Sequence, residues 1–176
     1  GYSMGARTAL HAALAHPGQV QRLILLGVNP GIRNSAERAA RRDDDERLAQ
    51  SIEHDGVETF LARWLANPLF SRLPAGASML DDRLRNTAAG LATSLRRCGT
   101  GTQDNLWPRL GELHMPVLVM AGALDTKFVT IARELAPAIG LNATLVVVPD
   151  AGHAAHLEQP DLFCELVGDW LARTPV

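Results

Sequence analysis

Gly1-Tyr2-Ser3-Met4-Gly5 opens the 176-residue chain and spells G-x-S-x-G, the pattern of a strand that turns straight into a helix with a serine at the bend. The spelling has a steric reason. Such a turn drives the serine into a strained backbone conformation, and glycines two residues to either side let neighbouring backbone pass closely. Ser3 is expected to stand exposed at the head of a helix. The N–H of Met4 would face the same space and supply half of an oxyanion hole.

Working outward, residues 4–16 (MGARTALHAALAH) carry apolar side chains at helical spacing, and His16-Pro17-Gly18 ends them. Residues 20–28 (VQRLILLGV) form a short apolar run bounded by turn residues, read as a buried parallel strand. Asn29-Pro30-Gly31 breaks it. An elbow needs a strand to turn from, and no residues precede Gly1. The chain is therefore expected to be the C-terminal part of a longer protein, inactive and prone to aggregate as an isolated piece.

The stretch that follows changes character. Asn34 with Glu37 resembles a capping box, opening a charged helix to about residue 54. Helical segments follow near 57–66, 79–85 and 88–97, with no strand candidate among them. A helical insertion of this kind reads as a lid, which closes over a site and excludes water. The alternation of strand and helix then resumes: strand at 116–121 (PVLVMA), helix at 127–139, strand at 143–148 (ATLVVV) and a closing helix at 160–173 with proline in its first turn. The expected fold is α/β, with a mostly parallel sheet. Its expected division is a core at 1–30, a helical lid at 31–108, and a returning core at 109–176.

Two polar residues stand just past the late strands, Asp125 after PVLVMAGAL and His153 after LVVVPDAG. In an open parallel sheet that rim is where catalytic groups collect. The chain order Ser3, Asp125, His153 is that of an α/β-hydrolase triad. His153 can take a proton from Ser3 and return it, and Asp125 would hold the imidazole in the right tautomer. Asp125 could instead be a helix cap and His153 a loop residue. His156, three residues on, is the rival base, read here as a supporting or capping residue. Asp43, Asp44 and Asp45 form a charge run, read as a solvated helix face.

Composition narrows the class. With 47% hydrophobic residues the chain can bury a sizeable core, and a net charge of −2 argues against a general nucleic-acid or membrane-surface binder. Lys127 is the only lysine among 17 basic residues. That bias has a bland explanation in codon composition, and a sharper one in bidentate gripping of carboxylates by arginine. Cys98 and Cys164 lie in separate predicted helices and are expected as free thiols, which suits a cytoplasmic protein. No apolar run is long enough to span a membrane.

The chain resembles the C-terminal two-thirds of an α/β-hydrolase, and within that fold the 2-succinyl-6-hydroxy-2,4-cyclohexadiene-1-carboxylate synthases of menaquinone biosynthesis. The residues carrying the likeness are GYSMGAR at 1–7, NPGIRNSAERAARRDDD at 29–45, FLARWLANPLF at 60–70, LRN at 84–86, AGALDTKF at 121–128 and AGHAAHLEQP at 151–160. Ala6 departs from the family's frequent second glycine. The resemblance implies a lyase that eliminates pyruvate from an anionic small-molecule substrate without cofactor or metal, its activated serine starting proton abstraction. It also implies that Arg7, Arg41 and Arg85 clamp substrate carboxylates, with Trp64, Tyr2 and Met4 in the binding site. Arg7 lies one helical turn past Ser3 and so can flank the same pocket. A surface ion pair is the plainer account of any one arginine, and a lid anchor that of Trp64. The competing classes are a serine hydrolase acting on an ester, lactone or C–C bond, and a non-enzymatic binding relative.

Overall fold

The computed structural model describes residues 1–74 and 76–174. Along the chain, α1 (Met4–Ala15) and β1 (Leu23–Leu26) are followed by α2 (Ser35–Leu65), α3 (Leu80–Leu84) and α4 (Ala88–Cys98), then by β2 (Val117–Gly122), α5 (Thr126–Ile139), β3 (Ala143–Val148), α6 (Ala155–Glu158) and α7 (Pro160–Arg173). These elements form two compact units: Gly1–Pro30 with Leu106–Val176, and Gly31–Asn105.

The first unit is built on a parallel sheet in the order β1-β2-β3. Strand side chains alternate between two faces. Val117, Val119 and Ala121 pack with Leu25, with Leu10 of α1 and with Leu135 of α5, whereas Leu118 and Met120 pack with Leu26, Val148 and Trp170 of α7. β2, between two partners and apolar along its whole length, has every residue buried. Burying each of its large side chains contributes roughly 1.5–3 kcal/mol.

Gly1, Tyr2 and Ser3 run parallel alongside β1. The Leu26 N–H donates to the Gly1 carbonyl at 3.0 Å and the Ser3 N–H to the Leu26 carbonyl at 2.9 Å. The strand end that the elbow requires is thus present in those three residues. β1 itself is shorter than the apolar run at 20–28, because a 3₁₀ turn at Pro17–Gln19 precedes it and Gly27 bends away at φ 59°. The helical insertion ends earlier than expected, at Asn105 rather than residue 108. Leu106 donates its N–H to the Pro30 carbonyl at 2.8 Å, and it and Leu110 are buried in the core of the first unit.

In the second unit Asn34 caps α2, its Oδ1 accepting from the N–H groups of Ala36 and Glu37. α2 is broken at Gly56 (φ 84°, ψ 170°), so the predicted helix to about residue 54 and the segment at 57–66 follow one another with a glycine between. Arg96 of α4 bridges to α2 through Glu46 (2.8 Å) and Glu53 (2.6 Å). Both carboxyls are held below the usual carboxylate range, chiefly by hydrogen bonds from Arg96.

The charge run at 43–45 is not uniformly solvated. Asp43 and Asp44 are exposed, but Asp45 is buried. It falls on the inward stripe of α2 with Ala49 and Ile52, and its carboxylate fills the space beside Gly99, where an added Cβ would meet Oδ2. A single residue in three carries the phase, which the run of identical letters conceals.

At Gly122, the C-terminal end of β2, an added Cβ would lie 2.4 Å from the Ala151 carbonyl oxygen and closer still to that of Gly152. Backbone cannot yield as a side chain tip can. Gly122→Ala should therefore lower the unfolding free energy by about 2–3 kcal/mol in a urea titration of the full-length protein; a loss under about 0.5 kcal/mol would show that the loop yields freely.

Candidate active site

Ser3 joins the strand end to α1 in a conformation few non-glycine residues adopt, φ 51° and ψ −113°. Such a conformation costs on the order of 1–3 kcal/mol and persists only where its surroundings impose it. Here the Ser3 N–H is tied to Leu26 and the Ser3 carbonyl accepts from the Arg7 N–H at 3.1 Å. The two elbow glycines are not equivalent. A Cβ on Gly1 would meet the Gly5 carbonyl oxygen at 2.4 Å, whereas one on Gly5 meets nothing within 4 Å among the described residues. The steric demand falls on Gly1. Ala6 is fully buried in the core, where its methyl replaces the glycine frequent in the resembling family.

β2 and β3 are in register from Val117 against Ala143 to Gly122 against Val148, so both end at the same rim. Asp125 and His153 leave the sheet there. Asp125 serves two ends at once: Oδ1 accepts from the Phe128 N–H at 3.3 Å, capping α5, and Oδ2 lies 2.7 Å from His153 Nδ1. A carboxylate only accepts, so Nδ1 carries the proton and Nε2 is left with a lone pair. Nε2 lies 3.0 Å from Ser3 Oγ. Asp125 and His153 are buried, at 8% and 3% exposure, while Ser3 is partly exposed. This is the geometry of a hydroxyl that can pass its proton to an oriented imidazole.

Two neighbours of the imidazole had no mark in the sequence reading. Gly27, in the left-handed region, is where an added Cβ would come within 2.9 Å of His153 Cε1. Phe128 packs its ring 4.5 Å from that of His153. A glycine directly after an apolar strand was the available signal for the first; the second has none.

Tyr2 lies between the two histidines, its ring centroid 5.2 Å from His153 and 4.5 Å from His156. His156 is half-buried in α6 beside Phe163, and its Nδ1 is buried with no hydrogen-bond partner. Burial pushes its pKa below the ordinary histidine value. No hydrogen bond joins it to Ser3 or Asp125 among the described residues.

The remaining expected site residues fall as follows. Met4 is the first residue of α1 and Arg7 lies one turn along it, half-buried. Arg41 lies in α2, its Nε donating to buried Asp45 Oδ1 at 2.8 Å, with the side chain 42% exposed. Trp64 packs at a tilt against Phe60 and Phe70, each centroid 5.6 Å away. Arg85 ends α3, exposed, with Asp82 3.7 Å away. Ser3, His153, Asp125 and Tyr2 converge in the first unit; Arg41, Trp64 and Arg85 lie in the second. Cys98 and Cys164 are both free and exposed. No helix among the described residues is long and apolar enough to cross a membrane.

The model of the alpha/beta hydrolase family matches residues 1–166. The chain belongs to that family. Among relatives of this alpha/beta hydrolase, a Bacillus subtilis (strain 168) protein provisionally named 2-succinyl-6-hydroxy-2,4-cyclohexadiene-1-carboxylate synthase is 40% identical over 97% of the chain and 64% of its own length. A Serratia proteamaculans (strain 568) protein of the same name is 35% identical over 97% of the chain and 66% of its own. The chain thus spans just under two thirds of these relatives. The structure of MenH from S. aureus superposes with a TM-score of 0.94 at 36% identity, over 99% of this chain and 67% of that one.

Two outcomes follow from the site. Gly27→Ala should cut the labelling rate of Ser3 by a fluorophosphonate about 100-fold, since a misplacement near 1 Å is enough for such a loss; an unchanged rate would mean that the imidazole has room to move. For His156, the folded pKa is depressed, so the unfolded chain binds more protons below about pH 6.5. Stability should fall as pH drops through that value, and His156→Phe should flatten the loss in pH-dependent melting curves; an unaltered slope would contradict this.

Proposed function

We propose that the full-length protein is a 2-succinyl-6-hydroxy-2,4-cyclohexadiene-1-carboxylate synthase of menaquinone biosynthesis: a lyase that releases pyruvate from a polycarboxylate cyclohexene. The observation that carries the reading is the chain Asp125–His153–Ser3, 2.7 and 3.0 Å at its two links, in a family member whose similar relatives bear that name.

In the proposed reaction His153 Nε2 takes the Ser3 proton as Ser3 Oγ removes a proton from a ring carbon. The electron pair released moves through the ring to form the second double bond, and the C–O bond to the pyruvate enol breaks with that oxygen taking the bonding pair. The imidazolium returns its proton to the leaving oxygen, and Asp125 stabilises the charge on the imidazole meanwhile. The enol then ketonises to pyruvate. Ser3 Oγ exchanges only protons and forms no bond to a substrate carbon, so no acyl-enzyme forms. The Met4 N–H at the head of α1 would stabilise developing negative charge.

The same proposal takes the helical unit as the lid. It gives Arg7, Arg41 and Arg85 the substrate's carboxylates, with Trp64 and Tyr2 as apolar contacts. Arg41 has support of its own: its Nε is held by buried Asp45, which presents the rest of the guanidinium fork in a fixed direction. A cytoplasmic location belongs to the proposal too and rests on the free thiols.

The test is to follow growth of conjugated-diene absorbance together with pyruvate release by the full-length protein. Both should appear in equal amounts, and Ser3→Ala should abolish them. Arg41→Ala should lower kcat/KM about 10- to 100-fold, the cost of one charge-assisted contact. A protein inert to this substrate that accumulates an acyl-Ser3 adduct with a slow ester, and that loses nothing on Arg41→Ala, would instead be a serine hydrolase.

A further inference from the structure

His153 sits in a loop whose two flanking residues are held by one side chain. Glu158, the last residue of α6, turns its carboxylate back along the loop. Oε2 accepts from the Gly152 N–H at 2.6 Å and Oε1 from the Ala154 N–H at 3.1 Å. The oxygens are divided, one to the residue before the histidine and one to the residue after it. Gly152 has no left-handed backbone to justify a glycine; a Cβ there would sit 3.1 Å from each Glu158 oxygen. The space that its missing side chain leaves is the space the carboxylate uses. The other side of the loop is fixed by backbone, with the Leu124 N–H donating to the Ala151 carbonyl at 2.9 Å and Gly122 packed against the carbonyls of Ala151 and Gly152.

We infer that Glu158 is a positioning residue for the base: by spanning the amides on either side of His153 it sets where the imidazole stands between Asp125 and Ser3. The inference rests on the proposed role of His153 and adds a fourth member to the constellation. An ionised carboxylate taking two backbone N–H bonds is among the stronger clasps available to a loop. Asp125 fixes the ring's tautomer and direction at Nδ1, but one hydrogen bond leaves the ring free to pivot about that contact. Holding the backbone at both flanks removes the pivot. The imidazole has to be held at the 3.0 Å that separates Nε2 from Ser3 Oγ, and losses near 100-fold attend shifts of about 1 Å.

The test compares wild type, Glu158→Gln and Glu158→Ala in the full-length protein by two readouts that need no particular substrate. One is the rate of Ser3 labelling by a fluorophosphonate; the other is the far-downfield proton resonance of His153 Nδ1–H, which reports its hydrogen bond to Asp125. Glutamine keeps one acceptor oxygen and alanine keeps none. Labelling should therefore fall about 10-fold in Glu158→Gln and about 100-fold in Glu158→Ala, and the resonance should shift and broaden in the same order while staying sharp in Ser3→Ala. If the alanine variant does not fold, the glutamine variant decides by the same two readouts. Labelling and resonance unchanged in Glu158→Gln would overturn the inference, as would slower labelling with the resonance intact. A resonance that responds to Glu158 in a protein that releases no pyruvate would uphold the clasp and sink the proposed reaction instead.

Discussion

Everything at the site depends on one imidazole being bonded at both ends. His153 is buried, donates a hydrogen bond from Nδ1 to Asp125 at 2.7 Å and faces Ser3 Oγ with Nε2 at 3.0 Å. Neither contact is local in sequence, with 28 residues separating the histidine from the aspartate and 150 from the serine. What makes them meet is the parallel register. The Gly1–Ser3 segment, β1, β2 and β3 run in one direction, so the residues that leave them at their carboxyl ends come out at one rim. A buried, hydrophobic sheet thereby does the positioning that no single loop could do.

The rim is paid for with backbone space. Gly1 gives way to Gly5 beneath the strained Ser3, Gly27 gives way to the imidazole, and Gly122 gives way to the carbonyls of the His153 loop. Of these three only Gly27 has a left-handed φ; at Gly1 the first turn of α1 occupies the place of a side chain, and at Gly122 the loop at Ala151 and Gly152 does. Close packing of this kind adds to the restraint that hydrogen bonds place on the histidine.

Much of this was readable beforehand, and the reason is physical. Strands buried on both faces announce themselves as apolar runs such as PVLVMA and ATLVVV, and the first polar residue with suitable chemistry after each lies at the rim. Asp125 and His153 could be picked out that way and Ser3 by the G-x-S-x-G spelling, and family membership rests on the whole of residues 1–166. Contacts between distant residues were not readable. Nothing in the letters around Gly27 says that an imaginary methyl there meets His153, and the run Asp43-Asp44-Asp45 does not say which carboxylate turns inward. Boundaries failed for a similar reason: Leu106 belongs to the core through a hydrogen bond to Pro30, 76 positions away, which no local pattern encodes. Asp125 was open between helix cap and functional carboxylate; with two oxygens it fills the cap and meets the histidine.

In the proposed reaction serine and histidine act as one device, since Ser3 would be a poor base until His153 takes its proton. Groups that act only together are not additive when removed. The most direct measurement is therefore kcat/KM for pyruvate release by the full-length protein carrying Ser3→Ala, His153→Ala, or both. If the two residues form one proton relay, each single change removes nearly all of the activity and the double variant is no worse than about twofold below either. Losses that multiply in the double variant would mean that the two side chains contribute independently, and the relay would be refuted.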